Sequence, residues 1–439
     1  MALADQVQIR CALTGSGLMQ NDKFLRAMFD HAVEVADPMR SLAAHLPPKP
    51  KGGGRLVVIG AGKASARMAE AVEAAWGPCE GLVITRYGYA RPCQGIEIVE
   101  AAHPVPDAAG QAATVRMLDM LDGLGPQDHV LALISGGASA LLVAPVDGVS
   151  LEEKQLINNA LLASGAPIER MNTLRKHLSR VKGGQLAARA FPARMLCLMI
   201  SDVPGDDPAF IGSGPTVGDD SAAAEALAVL EKWHIDAPVS VREALTKGST
   251  VVRRDDPRLA HVENRIYAAP VQSLRAAEAW ARKMRPGIDV RLLGDALQGE
   301  ARDVAQAQAA MACEIQRGMT DGAAPVLLLS GGELTVTRRG DGIGGPNAEF
   351  CLALALALRG ADGITAIACD TDGVDGAAEV AGAVIGPQTL DKARAADVDA
   401  RAALAENDAH RFFEQIGDQV VTGPTLTNVN DFRAILIEA

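Results

Sequence analysis

Aromatic side chains, paired cysteines and long apolar runs are scarce or missing in this chain of 439 residues. Aromatic residues make up only 3% of it, and small aliphatic residues and glycine supply the packing material. That composition suits close-packed α/β layers better than a β-sandwich. The N-terminus has no apolar signal core, and no stretch approaches the ~20 apolar residues of a membrane span.

The seven cysteines are odd in number and widely spaced, and no Cys-x-x-Cys pair occurs. A disulfide framework or a structural zinc site is therefore not expected. Cys197, Cys351 and Cys369 lie in apolar runs, where a free cysteine acts as a small hydrophobe. These features predict a soluble, cytoplasmic protein.

The formal net charge is −12, and the acidic residues are dispersed. Such a surface repels nucleic acid and anionic membranes, so neither is an expected partner. One basic segment, Arg175–Lys182, stands out against this background. Its spacing predicts that Arg175 and Lys182 share a helical face that binds an anion. Lys176 and Arg180 are expected on a solvated face.

Buried strands alternate with helices along the chain, which predicts an α/β protein with a mostly parallel sheet. The length favours two domains, placed at 1–250 and 251–439. The polar segment Thr246–Arg265 is the expected join. Similar turns recur in the same order in both halves, and diverged duplication and convergent turn chemistry explain this equally well. We expect two α/β domains that face each other across a cleft.

A glycine-rich turn, Gly60-Ala61-Gly62-Lys63, follows the first strand and opens a helix. Backbone N–H groups at such a helix N-terminus attract anions, and Lys63 adds a full charge. The turn lacks the third glycine of the dinucleotide fingerprint and does not match a Walker A loop. An ordinary turn with a solvated lysine is the alternative.

The sequence Ser-Gly-Gly ends two apolar runs, at Ser135–Gly137 and Ser330–Gly332. Glycines let the backbone approach a ligand, and consecutive N–H groups can form an anion-binding nest. A tight turn with a serine cap is the alternative. The residues predicted to hold cofactor phosphates are Gly60, Gly62, Ser135, Gly136, Gly137, Ser139, Gly331 and Gly332.

Acidic turns follow two further strands, at Ser201–Pro208 and Cys369–Gly376. Carboxylates at strand ends are ligands that Mg²⁺ prefers, although Asp-Gly turns are common in any protein. The second turn superficially resembles a calcium loop but lacks the later glutamate of an EF-hand. His103 lies earlier in the chain, in His-Pro-Val-Pro-Asp, which we interpret as a rigid turn.

Ten motifs, in order along nearly the whole chain, resemble those of the bacterial glycerate 2-kinase family, whose C-terminal half is called the MOFRL domain. Older names for its members often read hydroxypyruvate reductase. The motifs are GAGKAS, HPVPD, LISGGASALL, NTLRKHLSRVKGG, SDVPGDDP with IGSGPT, LGDALQGEARDVA, SGGELTVT, GGPNAEF, DTDGVDG and TGPTLTNVND.

The resemblance implies a Rossmann-like N-terminal domain, a smaller α/β C-terminal domain and an active site between them. It implies transfer of the ATP γ-phosphoryl group to the 2-hydroxyl of D-glycerate with Mg²⁺, and an essential lysine at Lys63. One departure is Pro346, where many members have an arginine thought to act on phosphate. That role cannot be carried over. Either Arg175, Lys182 or Arg338 replaces it, or the substrate preference differs within the hydroxy acids.

The site predicted on this basis divides into three groups. The acids are not ranked between metal binding and proton transfer by the sequence. The groups are catalytic (Lys63, Arg175, Asp202), substrate-binding (Lys182, Asn347, Asp372) and metal-binding (Asp207, Glu333, Asp370, Asp375).

Two other functions compete with a kinase. An NAD(P)H-dependent hydroxypyruvate reductase would use the Gly-x-Gly turn, but the fingerprint is incomplete and no histidine–acid pair is evident for hydride chemistry. A non-catalytic sugar-acid sensor would need the glycine turns but not the lysine. A small molecule is the expected partner in each case, and a homodimer is compatible with the sequence, which is silent on oligomeric state.

Overall fold

The computed structural model describes residues 20–376 and 378–439. Its strands are β1 Leu56–Ala61, β2 Glu80–Arg86, β3 Ile96–Ala101, β4 His129–Ile134, β5 Arg194–Ile200, β6 Val262–Ala268, β7 Asp289–Gly294, β8 Gly299–Glu300, β9 Val326–Ser330, β10 Leu334–Thr335, β11 Ile364–Asp370, β12 Gly382–Ile385, β13 Gln419–Val420 and β14 Asp431–Ile437. Its α-helices are α1 Asn21–Glu34, α2 Pro38–Ser41, α3 Ser65–Trp76, α4 Ala108–Leu121, α5 Ala138–Leu141, α6 Leu151–Ala163, α7 Ile168–His177, α8 Gln185–Ala190, α9 Ala223–Lys232, α10 Val239–Thr246, α11 Pro270–Met284, α12 Ala301–Arg317, α13 Pro346–Leu358, α14 Thr389–Ala395, α15 Ala400–Ala405 and α16 Ala409–Ile416.

The chain forms two compact units. The N-terminal unit comprises Ala36–Ala269 with Leu426–Val429, and the C-terminal unit takes the rest of the described chain. The prediction of two α/β parts is confirmed. The division falls at Ala269, not at 250, because β6 pairs with β5 in the sheet of the N-terminal unit. The segment predicted as a join, Thr246–Arg265, therefore lies inside that unit.

The N-terminal unit is built on a six-stranded sheet of order β3-β2-β1-β4-β5-β6, in which every pairing is parallel. Strands β1 and β4 are apolar almost throughout and buried along nearly their whole length, as expected where both faces of a parallel sheet are covered. The carboxyl ends of β1, β4 and β5 lead into the Gly-Ala-Gly-Lys, Ser-Gly-Gly and Ser-Asp turns. The sheet thus gathers three sequence motifs at one edge.

A layer of helices in the same unit has its own apolar cluster, formed around α6, α7, α9 and α10. Helix α6 begins with a complete capping box, in which the Ser150 hydroxyl accepts from Glu153 N and the Glu153 carboxylate accepts from Ser150 N. This reciprocal pair fixes where α6 starts. The helix then carries Lys154 and Asn158 at its inner face, where they border a pocket described below.

The C-terminal unit contains a mixed six-stranded sheet of order β13-β12-β11-β14-β9-β7. Only β7 and β9 pair in parallel, and the other four pairings are antiparallel. Helix α1 belongs to this unit, because its apolar residues Phe24, Leu25, Met28 and Phe29 pack in one cluster with the sheet. Among the described residues, no helix has the length and apolar character required to cross a bilayer.

Candidate active site

The turn between β1 and α3 is locked by hydrogen bonds within the protein. The N–H groups of Gly62, Lys63 and Ser65 donate to backbone oxygens, and Ala64 N donates to the Ser135 hydroxyl at 3.1 Å. Gly62 has a φ of +139°, and a Cβ there would overlap the hydroxyl of Ser135. These N–H groups are therefore not available to the anion that was predicted to bind at this turn. What this turn presents is the half-buried side chain of Lys63.

The first Ser-Gly-Gly turn differs from the β1–α3 turn because two of its N–H groups are not bonded within the described chain. Its serine is structural, because the buried Ser135 hydroxyl lies 3.2 Å from that of Ser65 and accepts from the neighbouring turn. The Gly136 carbonyl accepts from Lys63 N at 2.8 Å. Within the described chain, the N–H groups of Gly136 and Gly137 have no protein acceptor. This turn therefore offers two adjacent donors to a ligand.

Four side chains surround these two donors. A Cβ on Gly136 would overlap Asp202 Oδ2 and lie 2.5 Å from Asn428 Nδ2, and Asn428 donates to that carboxylate oxygen at 3.1 Å. A Cβ on Gly137 would lie 3.1 Å from the ring of His103 and 3.2 Å from Lys63 Cγ. The structure therefore brings Lys63 and Asp202, both predicted as catalytic, to the two glycines. Asn428 and His103 join them.

A pocket of about 150 Å³ adjoins Gly137 and is rich in positive charge. Lys154, Arg175 and Lys182 line it, together with Asn158. No aspartate or glutamate is among the described residues of its wall. The remaining lining is mostly apolar and consists of His103, Pro104, Pro106, Gly137, Ser139, Ala140, Ile157, Leu161, Leu162 and Leu178.

The lysines of this pocket are held by neutral partners. The Lys182 ammonium is 1% exposed and donates to Ser139 O and Leu142 O at 2.8 and 3.0 Å. The Lys154 ammonium, 7% exposed, donates to Leu178 O at 2.8 Å. Backbone carbonyls solvate an ammonium group without neutralising it, so both charges remain uncompensated by an acid.

The electrostatics of the pocket follow from this lack of acids. Burial, aided by the charge of Arg175, lowers the pKa of Lys154 to about 7. Burial and the charges of Lys154 and Arg175 hold the pKa of Lys182 well below its usual range. Burial also lowers the pKa of Arg175, whose Nε donates to Asn158 Oδ1 at 3.0 Å. An anion in the pocket would relieve all three penalties.

The basic segment is not one helix, which corrects the sequence-based interpretation. Helix α7 ends at His177. Ser179 then forms an isolated antiparallel β-bridge with Pro145, and Lys182 lines the pocket from the turn that follows. Lys176 is not on a solvated face either, because it is 3% exposed and bonds Asp219 at 2.6 Å. Arg180 is exposed, as expected.

The acids predicted to bind metal are not assembled into one cluster. Among the described residues, no group of three or more His, Cys, Asp or Glu side chains could hold a metal ion. Asp207 is exposed and caps its own turn by accepting from Ala209 N, and Glu333 is also exposed. The acidic turn Asp370–Asp375 closes on itself, since Asp370 accepts from Asp372 N and Asp372 accepts from Val374 N.

Asp375 and Asn347 have structural roles in the C-terminal unit. Both are fully buried, and Asp375 caps α13 by accepting from Asn347 N and Ala348 N at 2.9 and 2.8 Å. Asn347 also donates to Asp431, and His410 bonds Asp375 at 3.1 Å. The structure thus shows these two residues in a helix cap, and the substrate contact of Asn347 and the metal contact of Asp375 stay predictions.

Backbone groups of the second Ser-Gly-Gly turn are bonded within the protein. The fully buried Arg433 donates to Gly331 O and Gly332 O at 2.6 and 2.8 Å, and Gly331 N donates to Gly294 O. Gly332 has a φ of +96°, and a Cβ there would overlap the backbone of Leu297. Both Ser-Gly-Gly turns have a positive φ at their second glycine, but this one receives a cation and packs against a loop.

Three residues of the site escaped the sequence analysis. Lys154 gave no signal because it is a single lysine in an amphipathic helix, and Asn428 lies far from the rest along the chain. His103 was interpreted as a turn residue, although a histidine beside a predicted anion site is a usable signal. Of the predicted residues, Lys63, Gly136, Gly137, Ser139, Arg175, Lys182 and Asp202 lie at the two glycines or the pocket.

Comparisons with known proteins give a consistent result. Residues 24–246 match a family model described as a domain of unknown function (DUF4147), and residues 326–431 match the MOFRL family. A protein of Agrobacterium vitis with the provisional name hydroxypyruvate reductase is 49% identical, with 98% of this chain and 97% of that protein covered. The D-glycerate 2-kinase of Thermotoga maritima is 38% identical, with 87% of this chain and 91% of that enzyme covered. The crystal structure of a glycerate kinase from Thermotoga maritima matches with a TM-score of 0.83 at 37% identity, covering 95% of this chain and 99% of that one.

Proposed function

Because the chain belongs to the glycerate kinase family that combines the DUF4147 and MOFRL domains, we propose that it phosphorylates D-glycerate on the 2-hydroxyl with ATP. The products are 2-phosphoglycerate and ADP. The observation that carries the proposal is the pair of unused N–H donors at Gly136 and Gly137, beside Lys63. Next to them lies a pocket whose described wall residues include three cations and no acid. Phosphoryl transfer depends on positioning and on neutralising charge, and these groups supply both.

Each group has a role in this mechanism. The N–H groups of Gly136 and Gly137 hold phosphate oxygens, and the Lys63 ammonium neutralises charge on the transferred phosphoryl group. The Asp202 carboxylate lies beside the same turn and is oriented by a hydrogen bond from Asn428. It acts as the base and accepts the proton of the attacking hydroxyl. His103 borders the space between the turn and the pocket.

The arrangement is compatible with Mg²⁺ that arrives on ATP. Such an ion keeps several waters and needs only one or two carboxylates in addition to the phosphates. The lack of a three-acid cluster among the described residues is therefore no obstacle. Asp202 would hold such an ion through one carboxylate oxygen, while its other oxygen accepts the proton of the hydroxyl. When bound, Mg²⁺ neutralises phosphate charge.

An assay with the full chain tests the proposal. Purified protein with D-glycerate, Mg²⁺ and ATP is expected to release ADP and to form a product that enolase converts directly. Enolase does not use 3-phosphoglycerate, so the coupled signal also reports the position of the new phosphate. ADP release without an enolase signal would contradict the 2-hydroxyl assignment.

A hydroxypyruvate reductase is the second candidate, favoured by the name of the Agrobacterium vitis relative. A dinucleotide pyrophosphate would sit at the N-terminus of the helix after the first strand. In this chain the N–H groups of Lys63, Ala64 and Ser65 are already bonded there, which argues against that function. Oxidation of NADPH by hydroxypyruvate, with no ADP from glycerate, would reverse the choice.

A further inference from the structure

We infer that Lys154, Arg175 and Lys182 form the subsite for the substrate carboxylate, and that this subsite selects small hydroxy monocarboxylates. The inference rests on the proposed function and adds to it the orientation of the substrate and its chemical class.

The subsite is built from charge that the protein leaves uncompensated. Both lysines are more than nine-tenths buried and line the pocket, and no described acid lines it with them. Burying a cation without an acid costs free energy, so such an arrangement is stable only because backbone carbonyls and Asn158 solvate it. A bound carboxylate supplies the missing negative charge and accepts charge-assisted hydrogen bonds.

The size and the other walls of the pocket restrict the ligand. A cavity of about 150 Å³ holds a molecule of roughly the size of benzene, which leaves room for a three-carbon acid. Ile157, Leu161 and Leu178 form an apolar wall. A second carboxylate placed against these residues would lose its hydration without gaining a partner. Dicarboxylates are therefore expected to bind more weakly than monocarboxylates of similar length.

The pocket also sets the direction of the substrate. Gly137 and His103 line it together with the cations, and Gly137 adjoins Lys63 and the two free N–H donors. A carboxylate on the cations therefore directs the 2-hydroxyl toward Gly137, where the phosphoryl group is held in the proposed function.

Ligand affinity is expected to depend on pH through this subsite. The groups that face Lys154 across the pocket are Arg175, Lys182 and His103, and the pKa of Lys154 is about 7. A carboxylate binds the protonated ammonium better, so the dissociation constant for D-glycerate should rise as the pH increases from 6 to 9.

Calorimetric titration tests the subsite without relying on catalysis. The full chain is expected to bind D-glycerate and D-lactate, to bind tartronate more weakly, and to bind glycerol, which lacks the carboxylate, not at all. Lys154→Met should weaken D-glycerate binding roughly 10- to 100-fold, the range for a hydrogen bond to a charged group, and should flatten the rise between pH 6 and 9. Arg180→Gln, which removes an exposed cation of the Arg175–Lys182 segment, is the control and should bind like the original chain.

The outcomes separate the subsite from the proposed function. Binding that is selective for monocarboxylates and sensitive to Lys154 supports the subsite even if no ADP forms. Equal binding of glycerol and glycerate, or an unchanged affinity in Lys154→Met, overturns it even if the kinase assay succeeds. Should Lys154→Met fail to fold, Arg175→Gln provides the same comparison, because the guanidinium that it removes lines the same pocket and is bonded there by the neutral side chain of Asn158.

Discussion

Two adjacent glycines control what the first Ser-Gly-Gly turn can hold. At Gly137 the backbone has a φ of +82°, and a side chain would press on His103 and Lys63. Gly123 has a similar φ of +74° but no atom within 4 Å of a Cβ placed there. The two positions therefore separate backbone strain from loss of the site.

Gly137→Ala and Gly123→Ala form a matched pair. Both variants should lose about 1–2 kcal/mol of folding free energy, the cost of a left-handed backbone for a residue with a Cβ. Only Gly137→Ala should lower kcat/KM for D-glycerate, by roughly 10- to 100-fold, because small displacements of catalytic groups are costly. Thermal melts and steady-state assays of both variants provide the comparison. Equal activity of the two would show that the space at Gly137 is not used.

Lys63 is expected to act on the transition state more than on binding. Lys63→Ala should reduce kcat about 10²- to 10³-fold, as for loss of a single oxyanion donor, while KM for D-glycerate changes little. The control is Lys51→Ala, which removes an exposed lysine shortly before β1. Full kinase activity in Lys63→Ala would remove that residue from the mechanism.

At the level of elements, the buried pair His410–Asp375 anchors the start of α13. Burial alone would lower the pKa of His410, but its hydrogen bond and charge interaction with Asp375 outweigh burial, so the pKa is raised. A raised histidine pKa means that the folded protein binds the proton more tightly than the unfolded chain. The contribution to stability is then complete below the unfolded pKa of about 6.5 and is lost as the pH rises through the folded pKa.

His410→Gln tests this linkage. The Tm difference between the original chain and the variant should be largest at pH 5.5–6 and should shrink as the pH rises above about 7. Thermal melts across that range measure it, with Arg411→Gln, an exposed neighbour on α16, as the control. A Tm difference independent of pH would mean that the histidine is not protonated in this pair.

The elements were more predictable than the contacts between them. Apolar runs and turn residues located β1, β4 and their glycine turns, because strand burial and turn chemistry are local properties. The sequence could not reveal that the Ser135 hydroxyl accepts a hydrogen bond from Ala64 N, because that bond joins residues 71 positions apart. The spacing of the basic residues predicted one helix from Arg175 to Lys182, but α7 ends at His177. Charge spacing alone does not show where a helix stops.

For the whole molecule, the uncompensated pocket has a cost in stability. The pKa of Lys154 is about 7 in the folded protein and 10.5 as its ordinary value. Between these values the unfolded chain binds the proton that the folded chain has lost, so stability rises with pH across this window, and the penalty is full below pH 7.

Lys154→Met should therefore be more stable than the original chain even though it binds its ligand less well. The gain in Tm should be greatest below pH 7 and should decline toward pH 10. Thermal melts at several pH values without ligand measure it. A variant that is less stable at pH 6 would assign Lys154 a structural role through its bond to Leu178 O.

The division into units was only partly predictable at this scale. Two α/β parts followed from length and from the recurring turns. The sequence did not predict that α1 belongs to the C-terminal unit or that Leu426–Val429 belongs to the N-terminal unit. Each of these segments packs with residues that are distant from it in sequence.

That membership has a consequence for synthesis on the ribosome. Strand β14 lies between β11 and β9 in the centre of its sheet, and the short segment Leu426–Val429 completes the other unit. Domains usually fold in turn as the nascent chain emerges. Here the C-terminal unit lacks its central strand, and the N-terminal unit its last short segment, until residues 426–437 have left the exit tunnel. The apolar faces that pack around β14 therefore stay uncovered until translation is almost finished. We expect a strong demand for chaperones during that interval, and rapid proteolysis of chains that terminate before β14.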